Sequence, residues 1–230
     1  NSHSRRYVHG DNRPIYQGFI NWIGVYEGDV SLFDELSVLD FWGVGDRFGI
    51  VPVSKTKAYW AGGTVAKNID ALTPENYKAE LQALFGEWAN PISQVIAGTP
   101  KEKINKVYVH DHNPIEVWHK DNLLLIGDSV HAPLPTSGQG ACQAFEDAWH
   151  LANVLDDNTA SLQQAFSRFT ELRYTKTSGI ITAGRQIASA IFNRDVEYCQ
   201  QRDRDSKTTN FNDVAIAMAG GWGAGLPIGV

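Results

Sequence analysis

The segment from Leu123 to Leu155 constrains the fold of this 230-residue chain more than any other part of it. It runs LLLIGDSVHAPLPTSGQGACQAFEDAWHLANVL. The apolar run is typical of a strand buried on both faces, and we expect that strand over Asn122–Gly127. A loop with two prolines follows, and Gly138-Gln139-Gly140 then opens a helix. The pattern predicts a polar ligand at that helix start, because free N–H groups and the helix dipole favour negative charge there.

This segment resembles the GD motif of the flavin-dependent aromatic hydroxylases, the single-component FAD monooxygenases of the p-hydroxybenzoate hydroxylase type. Their pattern runs G-D-A-A-H, three residues, P, two residues, G-Q-G. The sequence fits every spacing, with Gly127, Asp128, His131, Pro135, Gly138, Gln139 and Gly140. The resemblance implies that Asp128 binds the ribityl chain of FAD. It also implies that four later residues lie against the isoalloxazine ring: Pro135, Gly138, Gln139 and Gly140.

The first residues resemble a second motif of this family, D-G-x-x-S-x-x-R. Ser2 and Arg5 have its S-x-x-R spacing, and the resemblance implies that Arg5 helps to bind the cofactor. The Asp and Gly would fall before residue 1, so we expect the C-terminal part of a longer enzyme. The ADP-binding G-x-G-x-x-G unit of the family is absent from the sequence. We expect either a separate N-terminal FAD-binding piece to complete the site or an isolated fragment.

Within the family, Phe41–Gly62 most resembles the hydroxylases that act on urate, salicylate and related flat rings. In the urate branch, an arginine and a tyrosine on successive hairpin strands line the substrate pocket, and Arg47 and Tyr59 stand at the matching places. The resemblance makes both of them candidate catalytic residues. A guanidinium fork suits a planar, acidic ring, and a nearby phenol can assist proton transfer to or from it. The alternative is that both are ordinary hairpin residues.

The resemblance implies an FAD-dependent monooxygenase that hydroxylates an aromatic or heteroaromatic ring, such as a urate- or salicylate-like compound. NAD(P)H would be the co-substrate that reduces FAD, and O2 would supply the transferred oxygen. The cofactor carries the chemistry, while the protein orients the reactants and excludes water. Three alternatives stay open: a non-catalytic fragment without a complete FAD site, a family member that carries out epoxidation or simple oxidation, and a metal-dependent enzyme built on histidines.

Several of these residues also have plainer interpretations. His110, His112 and His131 could be imagined as metal ligands, because His-x-His on a strand places both rings on one face. No Cys or carboxylate stands at a fixed spacing from them, and we expect no metal. His131 could be a loop residue without a chemical role, and Asp128 could simply cap its turn. Glu146-Asp147 is interpreted as the polar face of its helix.

Hydrophobic periodicity predicts a sheet, then helices, then a sheet and long helices again. The other expected strands are Tyr16–Tyr26, Arg47–Val53, Lys57–Gly62 and Lys106–His110. The expected helices begin after an N-cap at Thr73, run from Pro91 to Gly98, cover Ala141–Leu155 with a break at Asp156–Asn158, and extend from Ser161 to about Phe192. A docked tail is expected from Lys207 onward.

This order of elements predicts an α+β chain, equivalent to the C-terminal part of an α/β flavoprotein of the p-hydroxybenzoate hydroxylase type, without its N-terminal Rossmann-like unit. It would combine a mixed β-sheet substrate domain, a flavin-facing strand-loop-helix and long C-terminal helices. We expect a substrate-binding sheet domain with inserted helices over 1–105, the flavin-facing segment over 106–155, and C-terminal helices with the tail over 156–230.

Charge and composition exclude several classes of protein. The chain has 20 Lys and Arg against 26 Asp and Glu, a net charge of −6, and it lacks the basic stripe that a nucleic-acid backbone requires. No apolar run approaches the roughly 18 residues that span a bilayer. Two cysteines, Cys142 and Cys199, exclude a disulfide framework and favour a reducing, cytoplasmic location. We therefore expect a small aromatic substrate and O2, with no nucleic acid and no membrane.

Overall fold

A computed structural model of the chain describes residues 2–10, 13–156 and 161–227. At its centre is a five-stranded antiparallel sheet in the order β2-β3-β4-β1-β5. The strands are β1 (Ile15–Glu27), β2 (Leu39–Trp42), β3 (Asp46–Ser54), β4 (Lys57–Val65) and β5 (Asn105–Asp111). The four strands that periodicity predicted in this part of the chain are confirmed within these bounds.

One face of the sheet carries the main core. It packs against α2 (Tyr77–Phe85) and α3 (Ile92–Gly98). Phe48 stacks on Trp60 with ring centroids 5.4 Å apart, and Phe85 meets Phe48 edge-on at 5.2 Å. All three rings are fully buried, and burial of such large apolar surfaces is the main stabilising contribution here.

The opposite face of the sheet, called the open face below, consists of the residues that alternate with this core. In strand register it contains Asn21, Ile23 and Val25 of β1, Tyr59, Ala61 and Gly63 of β4, and Arg47, Gly49 and Val51 of β3. Because side chains alternate across a strand, the register places both predicted substrate residues on this one face.

The helix expected after Thr73 begins later than the sequence predicted. Residues Pro74–Asn76 form a 3-10 turn, and the Thr73 side chain makes no capping hydrogen bond. The N–H of Asn76 instead bonds to the carbonyl of Thr73 at 2.9 Å, which tightens the first turn. The buried stripe of α2 follows the predicted spacing, with Tyr77, Leu81 and Phe85.

The apolar run before the Gly-Asp turn is not the long buried strand that the sequence predicted for Asn122–Gly127. In the described part of this run, β7 (Leu123–Leu124) pairs with β6 (His119–Lys120) in a two-stranded sheet. Leu125 is buried, whereas Ile126 is 41% exposed. Periodicity cannot show whether a neighbouring strand exists to pair with such a run, and this one has a short partner.

The remaining helices are α1 (His3–His9), α4 (Asp128–His131), α5 (Gly140–Leu155), α6 (Leu162–Ile191), α7 (Val196–Ser206) and α8 (Phe211–Gly223). The long predicted helix is confirmed as α6. It begins at a capping box in which Ser161 and Gln164 exchange side-chain-to-backbone hydrogen bonds. The expected end of α5 at Leu155 is also confirmed, although 157–158 of the predicted break lie outside the described residues.

The tail predicted from Lys207 begins directly after α7 and contains α8. None of the residues of α8 is buried, but Trp222 near its end lines a cavity together with His150 of α5 and Leu172 of α6. Its end is held by Lys176, whose Nζ donates to the carbonyls of Trp222 and Ala224 at 2.5 and 2.7 Å. Among the described residues, none of the helices is both long enough and apolar enough to cross a membrane.

Two smaller clusters connect the sheet to α5 and α6. One lies around the two-stranded sheet and buries Trp118, Leu125 and Phe169. The other joins Phe19 on β1 to Leu134 of the proline loop and Ala188 of α6. This last cluster brings the proline loop next to the open face of the sheet.

Candidate functional site

The Gly-Asp turn leads from the two-stranded sheet into α4. Gly127 has a φ of +56°, a conformation that favours glycine. A Cβ there would lie 3.2 Å from the Cβ of Ala144 on α5, so glycine also permits a close approach to that helix. Asp128 begins α4 with an exposed carboxylate that makes no hydrogen bond or ion pair within the described residues.

A cavity of about 530 Å³ opens beside this turn. Its wall is formed by the Gly-Asp turn, the proline loop and the first turn of α5. Five of the six residues predicted to bind the cofactor line it: Asp128, Pro135, Gly138, Gln139 and Gly140. The structure thus brings together residues that the sequence grouped by motif alone.

The N-terminus of α5 faces this cavity. Gly140 and Ala141 line it, and the first turn of the helix contains no acidic residue. The first N–H groups of a helix have no partner within the helix and carry the positive end of its dipole. Gly138 turns the chain into this helix at a φ of +64°. The cavity therefore offers backbone donors on one side and the unpaired carboxylate of Asp128 on another.

Helix α6 supports the proline loop. The loop contains a 3-10 turn at Pro135–Ser137, and Thr136 Oγ1 donates to the carbonyl of Gly184 at 3.3 Å. A Cβ on Gly184 would lie 3.7 Å from Ser137 Cβ and 3.8 Å from Leu134 Cβ. Gly184 therefore lies at the contact between α6 and the loop that lines the cavity.

Arg5, the sixth predicted cofactor residue, does not line the cavity. Its buried guanidinium donates from Nη1 to the carbonyls of Ser129 (3.1 Å) and Val130 (2.7 Å), and from Nη2 to that of Asn113 (3.3 Å). These bonds tie α1 to α4. In this structure Arg5 supports the Gly-Asp turn from outside the cavity.

A buried charge network holds the same turn against α5 and α6. The carboxylate of Asp147 accepts from the backbone N–H of Gly127 at 2.7 Å, from Nε2 of His131 at 2.7 Å and from Nε of Arg173 at 2.8 Å. Arg173 also donates to Glu146. Asp147 and Arg173 are both fully buried, so the position of the turn depends on charges that water does not screen.

This network corrects two predictions. Glu146-Asp147 is not the polar, exposed face of α5, because both carboxylates are buried against Arg173 of α6. His131 is not in a loop but ends α4, and its buried ring fixes one oxygen of Asp147; that it has no chemical role stays a prediction. One signal in the sequence pointed to this pairing. Arg173 occupies the apolar stripe of α6, where a charge needs a buried partner: Phe166, Phe169, Arg173, Thr177.

The network also sets the charge of its members. Burial by itself raises the pKa of Asp147, but the hydrogen bond and charge of His131, the N–H of Gly127 and the guanidinium of Arg173 outweigh it and hold the pKa below its usual value. Burial lowers the pKa of His150, and the neighbouring charge of Arg173 lowers it further. Asp147 is therefore ionised wherever the fold is intact at neutral pH.

Arg47 and Tyr59 share the open face but are not in direct contact through a hydrogen bond. Arg47 pairs in register with Gly63, and Tyr59 with Val51. The guanidinium of Arg47 forms a two-point pair with Asp40, with Nε–Oδ1 at 2.7 Å and Nη2–Oδ2 at 3.1 Å. This pairing fixes the direction of the guanidinium over the sheet.

Tyr59 remains a protonated phenol at neutral pH. Burial raises its pKa, while the positive charge of Arg47 lowers it by a smaller amount. A protonated phenol acts as a hydrogen-bond donor or general acid, whereas proton abstraction needs its anion. Of the two proton-transfer directions that the sequence left open, the environment favours donation to a ring.

The three histidines considered as metal ligands do not form a site. His131 is bonded to Asp147, and Nδ1 of His110 lies 2.7 Å from the carbonyl of Tyr108. Within the described ranges, no group of three or more His, Cys, Asp or Glu side chains is arranged to hold a metal ion.

The sequence of the chain matches a known protein family. A family model described as "FAD binding domain" matches residues 14–166, which include the whole five-stranded sheet and every residue that lines the cavity. The chain belongs to this FAD-binding family. The sequence resemblance to FAD-dependent monooxygenases is thereby confirmed at the level of the family.

Two curated relatives of the chain are a monooxygenase/isomerase and a hydroxylase by name. The chain is 33% identical over 174 residues to the aurachin C monooxygenase/isomerase of Stigmatella aurantiaca, covering 76% of this chain and 45% of that protein. It is 27% identical over 182 residues to an FAD-dependent urate hydroxylase of Klebsiella pneumoniae, covering 79% and 47%. The chain therefore spans about half the length of these relatives.

A solved structure of an FAD-complexed protein shares the fold of the chain. The structure of Klebsiella pneumoniae HpxO complexed with FAD and uric acid superposes with a TM-score of 0.89 at 24% identity, covering 98% of this chain and 58% of that one. This match confirms the predicted α+β flavoprotein fold with its long C-terminal helices. The five-stranded sheet, predicted to be mixed, is antiparallel at every pairing.

Proposed function

We propose that this chain supplies the flavin-facing cavity and the substrate-facing sheet of an FAD-dependent monooxygenase that hydroxylates a flat aromatic or heteroaromatic ring. The observation that carries the proposal is the cavity of about 530 Å³ in which an unpaired Asp128 faces the N-terminus of α5. The proline loop on its wall contacts the sheet face that bears Arg47 and Tyr59. Cofactor and ring would thus occupy neighbouring spaces.

The residues present fit FAD. The carboxylate of Asp128 can accept hydrogen bonds from the hydroxyls of the ribityl chain, and it has no competing partner among the described residues. The backbone at Pro135, Gly138, Gln139 and Gly140 provides a surface with few side chains, against which a ring can lie closely. The free N–H groups of α5 would stabilise negative charge on its polar edge.

FAD, when bound, supplies the electron transfer and oxygen transfer that no side chain here can provide. The chain's own residues bind and orient the ring. Arg47, held by Asp40, presents donors to an acidic or carbonyl-rich ring. Tyr59, protonated because burial raises its pKa, can donate a hydrogen bond or a proton to the ring's oxygen. A urate- or salicylate-like compound has these features.

Further parts of the proposal rest on the relatives. Because the chain spans about half of their length, we propose that polypeptide outside these 230 residues holds the ADP end of FAD. NAD(P)H is the proposed reductant and O2 the proposed oxygen donor. The two cysteines are free thiols, as a cytoplasmic location would require. We also propose the division into 1–105, 106–155 and 156–230.

The test uses the FAD-loaded protein that contains this chain. Purified protein is mixed with uric acid or salicylate, NADH or NADPH, and isotopically labelled O2. We expect consumption of one reductant per turnover and a product that carries one labelled oxygen, detected by mass spectrometry. If NAD(P)H is consumed without a labelled ring product from either compound, the proposed hydroxylation is wrong.

The role of Asp128 has its own test. Asp128→Ala should weaken FAD binding about 10- to 100-fold, the value of one or two hydrogen bonds to a charged group, with little loss of folding stability because the carboxylate is exposed. FAD affinity is measured by flavin fluorescence, and unfolding by denaturant. Asp205→Ala, an exposed change on α7, is the matched control. Equal FAD affinity in the two variants would contradict the assignment.

A further inference from the structure

We infer that Asn21 is a substrate-recognition residue on the open face. Its amide would form two hydrogen bonds with a substrate ring that has a donor atom next to an acceptor atom along one edge. The inference rests on the proposed function and adds to it a residue and a ring chemistry. Asn21 lies in the middle of β1, which is paired with β4 on one side and with β5 on the other. No motif in the sequence assigns it a role.

The side chain of Asn21 is only 9% exposed, and its amide makes no hydrogen bond within the described residues. Its amide atoms are not among the buried side-chain atoms that lack a partner, so they keep contact with solvent on the open face. A largely buried amide that makes no bond within the protein is available to a ligand, and bonding it would not break an existing contact.

The register places Asn21 in one row with Arg47. Gly63 of β4 pairs with Asn21 on one side and with Arg47 on the other. A Cβ on Gly63 would lie only 2.4 Å from Oδ1 of Asn21, so the amide leans over Gly63 and toward β3. Asn21 and Arg47 therefore flank one glycine from opposite sides.

The next row of the open face has Gly49 paired with Ala61. The guanidinium of Arg47 and the carboxylate of Asp40 lie over Gly49, each 3.5 Å from the position of its missing Cβ. Phe192, of the segment after α6, covers Gly63 at 3.0 Å from the position of its missing Cβ, and Tyr59 stands in the row beyond Ala61. These groups surround the small side chain of Ala61, and we place the edge of the ring there.

The two flanking groups differ in hydrogen-bonding capacity. A guanidinium only donates, whereas an amide both donates and accepts. A ring that satisfies both has acceptors toward Arg47 and an adjacent donor and acceptor toward Asn21. Lactam and imide edges of oxidised heteroaromatic rings have this pattern, and hydrocarbon rings do not.

The experiment compares Asn21→Leu and Asn21→Ser with the wild type, all as FAD-loaded protein. Uric acid is titrated while the visible flavin spectrum is recorded, and salicylate serves as a second probe. We expect the Kd for uric acid to rise about five- to tenfold in both variants, the value of one lost hydrogen bond, with unchanged FAD affinity. KM should rise more than kcat falls.

Thermal unfolding separates recognition from a structural role. Because the amide makes no hydrogen bond within the described residues, its removal in Asn21→Leu should leave the melting temperature close to that of the wild type. Asn105→Leu, an exposed asparagine on β5 next to Ile23, is the matched control and should keep the wild-type Kd. If Asn21→Leu is not recovered folded, Asn21→Ser decides the test.

Three results would overturn the inference. If wild type binds uric acid and both variants bind it equally well, Asn21 has no role in recognition and the proposed function stands. If the variants lose melting temperature and FAD together, Asn21 is structural. If FAD-loaded wild type responds to neither uric acid nor salicylate, the proposed ring class fails, and the inference fails with it.

Discussion

The five-stranded sheet and the Gly-Asp turn are each held in place by a different kind of force. The core face of the sheet is apolar and aromatic, and strands adjacent in sequence form its β3–β4 hairpin. The Gly-Asp turn is held by a buried cluster of charges in which Asp147 and Arg173 come from different helices. Apolar burial is non-directional, so it tolerates the exchange of one apolar side chain for another. A buried ion pair instead loses its stability when either partner is removed.

The two regions therefore differ in what their packing achieves. Hydrophobic packing makes the sheet rigid, and with it the open face. The charge network instead positions one turn, because the same oxygen of Asp147 binds the Gly127 N–H and His131. A site that must hold a cofactor in one orientation gains from directional bonds, at the cost of greater sensitivity to single substitutions.

The largest effect should come from Arg173→Met. It removes the fully buried guanidinium that two buried carboxylates share, although Lys176 still pairs with one of them and His131 with the other. The free energy of unfolding should fall by about 3–5 kcal/mol, measured by denaturant titration. Phe85→Leu in the sheet core keeps an apolar side chain of similar size and should cost about 1 kcal/mol. Arg204→Met, on an exposed site of α7, is the control for loss of charge. Equal costs for Arg173→Met and Arg204→Met would remove the contrast between the two regions.

A smaller effect is expected from Gly127→Ala. The positive φ alone costs about 1–2 kcal/mol for a residue with a Cβ, and the contact with Ala144 at 3.2 Å adds to it. Gly138→Ala, with a positive φ and nothing within 4 Å, should cost less in unfolding experiments. Gly49→Ala in the sheet, with no atom nearer than 3.5 Å, should be close to neutral. A different order would mean that the turn is less constrained than the sheet.

The smallest effect concerns pH. Burial and the charge of Arg173 lower the pKa of His150, so the unfolded state takes up a proton at a pH where the folded state does not. Stability should therefore decrease as the pH falls below about 6.5, the ordinary histidine value. Glu146, Lys176 and Asp147 also face this ring. Asp147, whose pKa is lowered, adds a second loss at more acidic pH.

His150→Gln should flatten the stability profile between about pH 7 and 5.5, the range below an unperturbed histidine, in thermal unfolding scans. His3→Gln, at an exposed position of α1, should leave the slope unchanged. An unchanged slope in His150→Gln would show that the charge cluster does not contribute to pH sensitivity.

Much of the fold could be predicted because its signals are local. The β3–β4 hairpin follows alternation and a short polar turn, and the start of α6 follows its capping box at Ser161. The apolar run at Asn122–Gly127 misled the prediction for the opposite reason. Whether such a run becomes a long strand depends on a pairing partner, and the sequence of the run itself does not contain that information.

The candidate site divides in the same way. The residues from Asp128 to Gly140 could be identified from sequence because they are contiguous and their glycines and prolines have fixed backbone requirements. Arg5 could be singled out by spacing, but its position outside the cavity could not. Its guanidinium bonds to backbone carbonyls, and every residue has a carbonyl, so the sequence does not indicate which ones it contacts.

The sequence by itself determined the turn that lines the cavity, the alternation of the sheet and the limits of the long helix. Only the tertiary structure decided that Asp147 and Arg173 neutralise each other, and that Asn21 and Arg47 flank Gly63. The physical reason is that periodicity tells which face of an element is buried. The packing of helices and the register of strands, which depend on the whole chain, tell what that face meets.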